Sequence, residues 1–262
     1  MESICVRNLR IIIFIQRLKE IKMDKLYIII PAYNEEANIE QVINDWYPIV
    51  EKYHGDGKSR LVIIDDGSKD TTYQIMKKCS IDKPLFLPLT KPNGGHGATV
   101  LYGYQYALEH GADYIFQTDS DGQTIPSEFH QFWGKRKNHD MVIGWRNARE
   151  DGFSRVFVTK TLKFVLKLCF GVTVIDANTP FRLMDSVTLK KYITYVPDGF
   201  NLSNVIISVI YAKAECDVKY IPITFRPRQG GVNSINMKRI FKIGQQALVD
   251  IKKNNKNLKN LE

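Results

Sequence analysis

The chain has 262 residues, of which 44% are hydrophobic and 25% are charged, and its formal net charge is +9. This is the composition of an ordinary globular protein, and the length is sufficient for one large α/β domain. The excess of basic residues indicates an anionic partner. Net charge alone does not decide whether that partner is a nucleic acid, a nucleotide or a membrane surface. No apolar run approaches the ~18–20 residues of a membrane span. The four cysteines are widely spaced without a C-x-x-C pair, so we expect reduced thiols in a cytosolic protein and no zinc site.

The first 22 residues differ from the rest of the chain. They contain three arginines around a short apolar run, residues 11–15, but lack the long apolar region and the cleavage site of a signal peptide. Met23 comes directly before the first strong strand pattern. We therefore expect residues 1–22 to be an N-terminal extension, either a non-native start or a short basic helix. Residues 23–253 are expected to form a single domain, followed by a polar tail at residues 254–262.

Strands and helices alternate in the first part of the chain. Short apolar runs predict five strands, at residues 26–30, 61–64, 85–89, 114–117 and 141–144. Helical spacing of apolar residues predicts three helices between them, at residues 35–53, 70–79 and 99–110. This alternation predicts an α/β fold with a mostly parallel central sheet and helices on both faces. Because crossovers between parallel strands are right-handed, the loops that follow successive strands should line one cleft.

The pattern changes after Gly144. Apolar spacing predicts three further helices, at residues 155–170, 202–214 and 235–253, and one strand at residues 218–225. The first of these helices places Lys160, Lys163 and Lys167 on one stripe, and the last is basic and amphipathic. Such helices either lie on an anionic membrane surface or pack their apolar faces onto the sheet. We expect the lysine stripe to contact a membrane, and for the last helix both interpretations stay open.

The most informative segment is Asp119-Ser120-Asp121-Gly122-Gln123, which follows directly after an apolar strand pattern. It predicts two carboxylates at the carboxyl edge of a buried strand, where open α/β sheets place their ligands. Like charges at close range repel each other, and a hard cation such as Mg²⁺ or Mn²⁺ relieves that repulsion through oxygen ligands. Taken alone, the segment is more typical of a solvated turn rich in Asp and Gly.

Three further segments are predicted at the same edge of the sheet. They are residues 31–35 after the first strand, residues 65–71 after the second strand, and residues 93–98 before the third helix. In this order and at these intervals, the four segments resemble the family 2 glycosyltransferases of the GT-A fold. The resemblance extends from about Leu26 to Lys242, and it is specific as a set although each segment alone is common.

Within that family, the chain is most similar to the polyprenyl-phosphate sugar synthases, such as the dolichyl-phosphate mannose synthases. Three features carry this similarity, namely Gln123 after the two aspartates, Ser154-Arg155 before an apolar helix, and Asp176 and Phe181-Arg182 leading to residues 225–234. The resemblance implies an inverting, metal-dependent transfer of a hexose from a nucleotide-diphosphate sugar to a polyprenyl phosphate. It also implies a cytoplasmic enzyme that is peripheral at the inner face of the cytoplasmic membrane.

The resemblance assigns roles to individual residues. The metal, Mg²⁺ or Mn²⁺, would be held by Asp119, Asp121 and Gln123. The nucleotide sugar would be bound by residues of the loops, namely Pro31, Tyr33, Glu35, Asp65, Asp66, Lys91, Gly94, Asp119 and Ser120. The two neighbouring aspartates of the second loop are also compatible with a turn and a helix N-cap. The family often has Lys or Arg in the glycine-rich loop, where this chain has His96, which leaves the donor contacts of that loop open.

The choice of acceptor decides which residues carry the chemistry. A phosphate monoester loses its second proton near pH ~6, so it is already a nucleophile at neutral pH and needs no protein base. Its charge would be neutralised by Arg146, Arg155 and Arg228, since arginine forms bidentate pairs with phosphate. The alternative acceptor is a hydroxyl of a lipid-linked, capsular or lipopolysaccharide glycan, which requires a carboxylate base such as Asp198. The catalytic candidates are therefore Asp121, Arg155 and Asp198.

Other classes of protein fit the sequence less well. A nucleotide-binding relative without activity would not need Asp119 and Asp121, which are both present. A nucleic-acid-binding protein is indicated only by the net charge, because no zinc finger or RNP motif occurs, and we expect no nucleic-acid partner. A Rossmann dehydrogenase would have a G-x-G-x-x-G segment after the first strand, and the chain has none there. The identities of the sugar and of the base stay open.

Overall fold

A seven-stranded sheet forms the centre of the molecule. A computed structural model describes residues 23–146, 163–164, 166–168, 170–196 and 202–226. The strands are β1 (Leu26–Ala32), β2 (Arg60–Asp65), β3 (Phe86–Thr90), β4 (Tyr114–Gln117), β5 (Met141–Arg146), β6 (Arg182–Asp185) and β7 (Val218–Ile223). Their order is β3-β2-β1-β4-β6-β5-β7, with β6 antiparallel to both of its neighbours and the other pairs parallel. The predicted α/β fold with a mostly parallel sheet is confirmed.

Helices connect the strands and cover the sheet. Those with described bounds are α1 (Ile39–Lys52), α2 (Thr72–Cys79), α3 (His96–Glu109), α4 (Phe129–Lys135), α5 (Ser186–Tyr192) and α6 (Ser203–Lys213). Residues 163–164, 166–168 and 170 are also helical, within the predicted helix at residues 155–170. Residues 1–22 and 227–262 lie outside the described residues, so the extension, the C-terminal helix, the tail and the single-domain boundaries stay predictions. Among the described residues, no helix combines the length and apolar character needed to cross a bilayer.

Three short elements, β6, α4 and α5, are not predicted by the sequence pattern. Strand β6 begins at Arg182 and ends at Asp185, so two apolar residues alone mark it. Arg182 is nevertheless fully buried. Its guanidinium donates hydrogen bonds to the carbonyl oxygens of Ala177, Thr179 and Asn204. A buried arginine whose donors are satisfied is compatible with the core, but it interrupts the apolar pattern by which strands are predicted.

The sheet is buried on both faces, which explains the continuous apolar runs of its central strands. On β1, Ile29 packs in the cluster formed with α3 and α6, whereas Ile28 and Ile30 pack in the cluster formed with α1 and α4. In the second cluster, Trp46 of α1 lies against Phe116 of β4, with ring centroids 5.3 Å apart. Alternate residues of one strand therefore hold helices on opposite faces.

Helix α3 lies close to the sheet because Gly103 is in its middle. A Cβ at this position would lie 2.3 Å from Cγ2 of Ile29, so a larger residue would push the helix away from β1. The helix begins at His96, three residues earlier than predicted, directly after Gly95. Its N-terminus lies at the carboxyl edge of the sheet, where the loops after β1, β2 and β4 also lie, as predicted from the right-handed crossovers.

Candidate active site

The loops after β1 and β2 are joined side by side by hydrogen bonds. The amide of Asn34 donates to Oγ of Ser68, and the amide of Lys69 donates to Oδ1 of Asn34, each over 2.9 Å. One residue along, the amide of Glu35 donates to Oγ1 of Thr72, also over 2.9 Å. The two loops therefore form one continuous, fixed surface on this side of the cleft.

The end of β1 and the loop that follows it contain three of the predicted nucleotide-binding residues. Pro31 is buried in β1, Tyr33 is 44% exposed, and Glu35 is buried. Oε2 of Glu35 accepts a hydrogen bond of 2.8 Å from Nδ2 of Asn38, which precedes α1. The sequence analysis does not single out Asn38 as the partner of Glu35, because no local pattern marks a single asparagine ahead of a helix. Tyr33 is thus partly exposed, whereas the carboxylate of Glu35 is directed toward the start of α1.

Asp65 stabilises the turn between β2 and α2. It is buried, and its carboxylate accepts hydrogen bonds from the amide of Ser68 over 3.2 Å and from Oγ1 of Thr90 over 2.8 Å. These bonds connect the end of β2 to the end of β3. They are the contacts expected of a turn-stabilising carboxylate, and the role of Asp65 in nucleotide binding stays a prediction.

Asp66 fixes the glycine-rich loop that precedes α3. Its buried carboxylate accepts hydrogen bonds from the amides of Gly94 and Gly95, over 2.9 and 2.8 Å, and forms an ion pair with Nζ of Lys91. Burial raises the pKa of this carboxyl, but the hydrogen bonds from Lys91 and the Gly94 amide outweigh burial and lower the pKa overall. Two predicted site residues, Lys91 and Gly94, thus both contact a third, Asp66.

Gly67 allows the two loops to approach each other. Its φ of +67° lies in the left-handed region, and a Cβ here would lie 2.9 Å from the backbone nitrogen of Asn93. The side-chain amide of Asn93 in turn donates to the carbonyl oxygen of Asp66 over 2.8 Å. A side chain at position 67 would therefore separate the loop after β2 from the glycine-rich loop.

The N-terminus of α3 joins the glycine-rich loop to the paired aspartates. Its first residue, His96, places Nε2 within 3.0 Å of Oδ1 of Asp119. Partial burial of the ring opposes its protonation, but the carboxylates of Asp119, Asp66 and Asp121 outweigh that effect and raise the pKa of His96. The sequence marks His96 as a departure from the family pattern, and the contact with Asp119 is visible only in the structure. The first amides of a helix have no acceptor within the helix, and together with the helix dipole they make this end of α3 suitable for an anion.

The paired aspartates lie in the turn after β4. Gly122 in this turn has a φ of +69°, and the amide of Gln123 donates to Oδ1 of Asp121 over 3.1 Å. The side-chain amide of Gln123 donates to the carbonyl oxygen of Arg226 over 3.2 Å, which leaves Oε1 as the atom that a metal would use. Ser120, another predicted site residue, is buried.

A divalent cation fits the donor set of this turn. Asp119, Asp121 and Gln123 offer oxygen ligands, which Mg²⁺ and Mn²⁺ prefer. Within the described part of the chain, no three or more His, Cys, Asp or Glu side chains are grouped so that they could hold a metal. Two carboxylates are sufficient for an ion that completes its coordination with substrate phosphates and water, as Mg²⁺ commonly does.

The predicted acceptor-side residues are described in part. Arg155, Asp198 and Arg228 lie outside the described residues, and their roles stay predictions. Arg146 is the last residue of β5. Because β4 and β5 both run antiparallel to β6, they are parallel to each other and their carboxyl ends share one edge. The backbone of Arg146 therefore lies at the edge of the sheet that carries Asp119.

A glycine-rich loop, a helix N-terminus and paired carboxylates at the carboxyl edge of a parallel sheet are the features of an α/β enzyme for a phosphate-containing ligand. Comparison with known proteins identifies the family. The profile named Glycosyl transferase family 2 matches residues 27–193, and the chain belongs to this family. It is therefore a glycosyltransferase, as the order of the four loops predicts.

Several relatives have related names. The chain is 31% identical to UDP-N-acetylglucosamine–dolichyl-phosphate N-acetylglucosaminyltransferase of Methanococcus voltae over 188 residues, which are 64% of this chain and 72% of the relative. It is 22% identical to polyprenol monophosphomannose synthase of Mycolicibacterium smegmatis over 247 residues, which are 84% of this chain and 86% of that protein.

A solved structure shows the same fold. Glucosyl-3-phosphoglycerate synthase of Mycobacterium tuberculosis, in its complex with Mn²⁺ and UDP-glucose, matches with a TM-score of 0.62 and 16% identity. The match covers 88% of this chain and 79% of that chain. At this identity the likeness shows the fold alone, which is that of the GT-A glycosyltransferases.

Proposed function

We propose that this glycosyltransferase moves a hexose from a nucleotide-diphosphate sugar to a polyprenyl phosphate, with inversion at the anomeric carbon and with a divalent metal. One observation carries the proposal: the glycine-rich loop held by Asp66 meets the paired aspartates through the contact between His96 and Asp119. The first part suits a diphosphate, and the second suits a metal bound to that diphosphate. Two relatives are named for a dolichyl phosphate acceptor and for polyprenol monophosphomannose synthesis, which supports a polyprenyl phosphate acceptor.

The donor would lie along the carboxyl edge of β1, β2 and β4. The amides at the start of α3 would bind the diphosphate. The amides of Gly94 and Gly95 are already bound to Asp66, and these two glycines would contribute by the absence of a Cβ, which lets an anion approach the backbone closely. Tyr33 and Glu35 would hold the nucleoside, with the exposed Tyr33 ring available for stacking. Asp66 would act by holding the glycine-rich loop in place.

The reaction would be a single displacement. An oxygen of the acceptor phosphate attacks the anomeric carbon as the bond from that carbon to the diphosphate oxygen breaks, and the transition state resembles an oxocarbenium ion. The acceptor supplies its own ionised oxygen, so no protein group has to remove a proton. Asp119, Asp121 and Gln123 would hold the divalent ion, which when bound stabilises the charge that develops on the leaving diphosphate.

Arginine residues would neutralise the acceptor phosphate. Arg146 lies at the same edge as Asp119, and Arg155 and Arg228 are the further candidates from the sequence. Arginine forms paired hydrogen bonds with phosphate oxygens. Arg155→Ala should therefore impair use of the acceptor more than binding of the donor. Equal losses in separate acceptor and donor binding assays would contradict this assignment.

A polyprenyl acceptor would be met at a membrane surface, and one described helix is suited to it. Phe164 and Leu168 lie about one turn apart and are 67% and 75% exposed, whereas Leu166 of the same helix is buried. Lys163 and Lys167 are exposed beside them. Apolar side chains flanked by lysines suit an anionic bilayer. The proposed location is therefore peripheral, at the inner face of the cytoplasmic membrane.

A donor panel tests the proposal. The full chain is incubated with Mn²⁺, undecaprenyl phosphate and, in turn, GDP-mannose, UDP-glucose, UDP-N-acetylglucosamine and UDP-galactose, and radiolabelled sugar is counted in the organic phase. We expect extractable label with one donor, and none after addition of EDTA or with Asp121→Ala. The matched control is Asp82→Ala, which removes an exposed carboxylate remote from the cleft and should keep full activity.

Different failures of this experiment have different meanings. Absence of label with every donor would contradict the polyprenyl phosphate acceptor. Donor-specific hydrolysis without a lipid product would favour a hydroxyl of a lipid-linked, capsular or lipopolysaccharide glycan, and Asp198 would then be the candidate base. Label that persists in EDTA would contradict the metal role and leave the acceptor assignment intact.

A further inference from the structure

His96 lies between the two halves of the candidate active site. It is the first residue of α3, and its Nε2 is 3.0 Å from Oδ1 of Asp119. Since a carboxylate oxygen only accepts, Nε2 carries a proton and donates this hydrogen bond. The contact joins the glycine-rich loop to the paired aspartates, but the donor and metal contacts proposed above assign no function to the imidazole ring itself.

The backbone beside His96 is held from two sides. The amide of Gly95 donates to Asp66, and its carbonyl oxygen accepts hydrogen bonds from both the amide and Oγ1 of Thr99, each over 3.0 Å. Further along the helix, Gly103 allows α3 to pack closely on β1. The imidazole ring therefore projects from a rigid support, which is what a residue needs in order to hold another side chain in place.

We propose that His96 is a positioning residue for Asp119 in metal binding. Its hydrogen bond to Oδ1 fixes the orientation of the carboxylate and leaves Oδ2 for the divalent ion. Groups that hydrogen-bond to metal ligands orient those ligands, and their loss typically costs about 10–100-fold in metal affinity. The inference rests on the metal role of Asp119 in the proposed function, and its test is a binding measurement that does not require sugar transfer.

Mn²⁺ binding tests the inference directly. The electron paramagnetic resonance signal of free Mn²⁺ is titrated with the full chain in the presence of UDP and, in a second series, of GDP. His96→Met and His96→Gln introduce side chains of equal length, but Gln alone keeps an N–H donor where Nε2 lies. We expect His96→Met to weaken Mn²⁺ binding by about 10–100-fold, and His96→Gln to recover most of that affinity.

His110→Met is the matched control on the same helix. His110 is the C-cap of α3, where its Nδ1 lies 2.7 Å from the carbonyl oxygen of Tyr106 and its ring stacks on the Tyr106 ring. This variant should bind Mn²⁺ as the wild type does. Thermal melting followed by circular dichroism identifies any variant that is unfolded at the assay temperature, and His96→Leu then serves as a second donor-free variant.

Each outcome decides the inference. Equal Mn²⁺ affinity in the wild type and in the donor-free variants would overturn it. His96→Gln binding as weakly as His96→Met would overturn positioning through the hydrogen bond. Absence of Mn²⁺ binding by the wild type with both nucleotides would overturn the metal role of Asp119 as well. In the supporting case, the Mn²⁺ concentration for half-maximal transfer rises in His96→Met while kcat at saturating Mn²⁺ changes little.

Discussion

The two edges of the sheet each carry a histidine–aspartate pair, and the surroundings of the pairs differ. At the carboxyl edge, Nε2 of His96 lies 3.0 Å from Oδ1 of Asp119, and at the amino edge, Nδ1 of His139 lies 3.0 Å from Oδ2 of Asp217. The side chain of Asp119 is 31% exposed and that of Asp217 is 63% exposed. The equal distances and residue types therefore do not distinguish a candidate active site from a hydrogen-bonded pair at the surface.

At the amino edge, carboxylates stabilise the turns of the chain. Oδ1 of Asp140 accepts from Oγ1 of Thr188, and Oδ2 accepts from the amide of Asp217. Asp185 caps α5 by accepting from the amide of Thr188 over 2.8 Å. An open cleft of about 240 Å³ lies beside these residues. The carboxylates of Asp140 and Asp185 beside this cleft are thus explained by turn and cap interactions.

At the carboxyl edge, the carboxylate of Asp66 also binds backbone amides, but these belong to a glycine-rich loop at the start of a helix of 14 residues. The effect is to hold the N-terminus of α3 beside Asp119. The two edges therefore differ in the glycine-rich loop and the helix start rather than in their acidic residues, and on the proposed function these are the parts that bind a phosphate-containing ligand.

The largest expected difference between the edges is in transfer activity. Asp121→Ala removes a proposed metal ligand, and we expect kcat/KM to fall by about three orders of magnitude, which corresponds to several kcal/mol. Asp217→Ala at the amino edge should stay close to the wild type. Sugar transferred to the lipid phase measures both variants. Near-normal turnover of Asp121→Ala at saturating Mn²⁺ would refute the metal role.

Removal of the loop anchor should affect both stability and donor binding. Asp66→Ala leaves the amides of Gly94 and Gly95 without their acceptor and removes the ion-pair partner of Lys91, and we expect a stability loss of about 1–3 kcal/mol. Asp185→Ala removes a helix cap and should cost about 1 kcal/mol. Urea denaturation gives both values, and calorimetry with nucleotide should show weaker binding in Asp66→Ala alone. Equal nucleotide affinity in the two variants would contradict the loop-anchor role.

Alanine substitution at two glycines with positive φ distinguishes the cost of backbone strain from the cost of a displaced loop. Gly67 at the carboxyl edge and Gly57 at the amino edge have φ of +67° and +78°, and a Cβ at Gly57 would meet nothing within 4 Å. Alanine at either position should cost about 1–2 kcal/mol through left-handed strain. Gly67→Ala should cost more and weaken nucleotide binding, because its Cβ displaces Asn93. Equal losses of thermal stability in Gly67→Ala and Gly57→Ala would indicate that the glycine-rich loop tolerates the displacement of Asn93.

The smallest expected effect concerns the membrane. Lys167→Gln should reduce binding to phosphatidylglycerol vesicles at low salt by about 1 kcal/mol, the contribution of one basic residue near an anionic surface. Lys58→Gln, an exposed lysine at the amino edge, should not change vesicle binding. Co-sedimentation with vesicles of graded phosphatidylglycerol content measures both variants. A similar loss in the two would indicate a general effect of net charge rather than a membrane-binding helix.

The sequence predicts the first five strands and the shared edge of their loops, because apolar periodicity is local and the handedness of crossovers is general. It does not predict the partners of Asp66, since a carboxylate after a strand is compatible with a turn, a helix cap, a nucleotide contact or a loop anchor. The sequence also does not predict the contact between His96 and Asp119. This contact depends on how closely α3 packs on β1 at Gly103, which no local pattern reports.

Strand β6 sets the size of the space between the two proposed phosphate sites. Adjacent strands lie ~4.8 Å apart, so β6 separates the carboxyl ends of β4 and β5 by about 10 Å. On the proposed assignments, the diphosphate lies near Asp119 after β4, and the acceptor phosphate lies near Arg146 at the end of β5. In a single displacement the leaving and attacking oxygens meet one anomeric carbon from opposite faces, so the two phosphates would approach that carbon from the two sides of β6. One antiparallel strand would thus keep the two anions apart until the sugar lies between their oxygens.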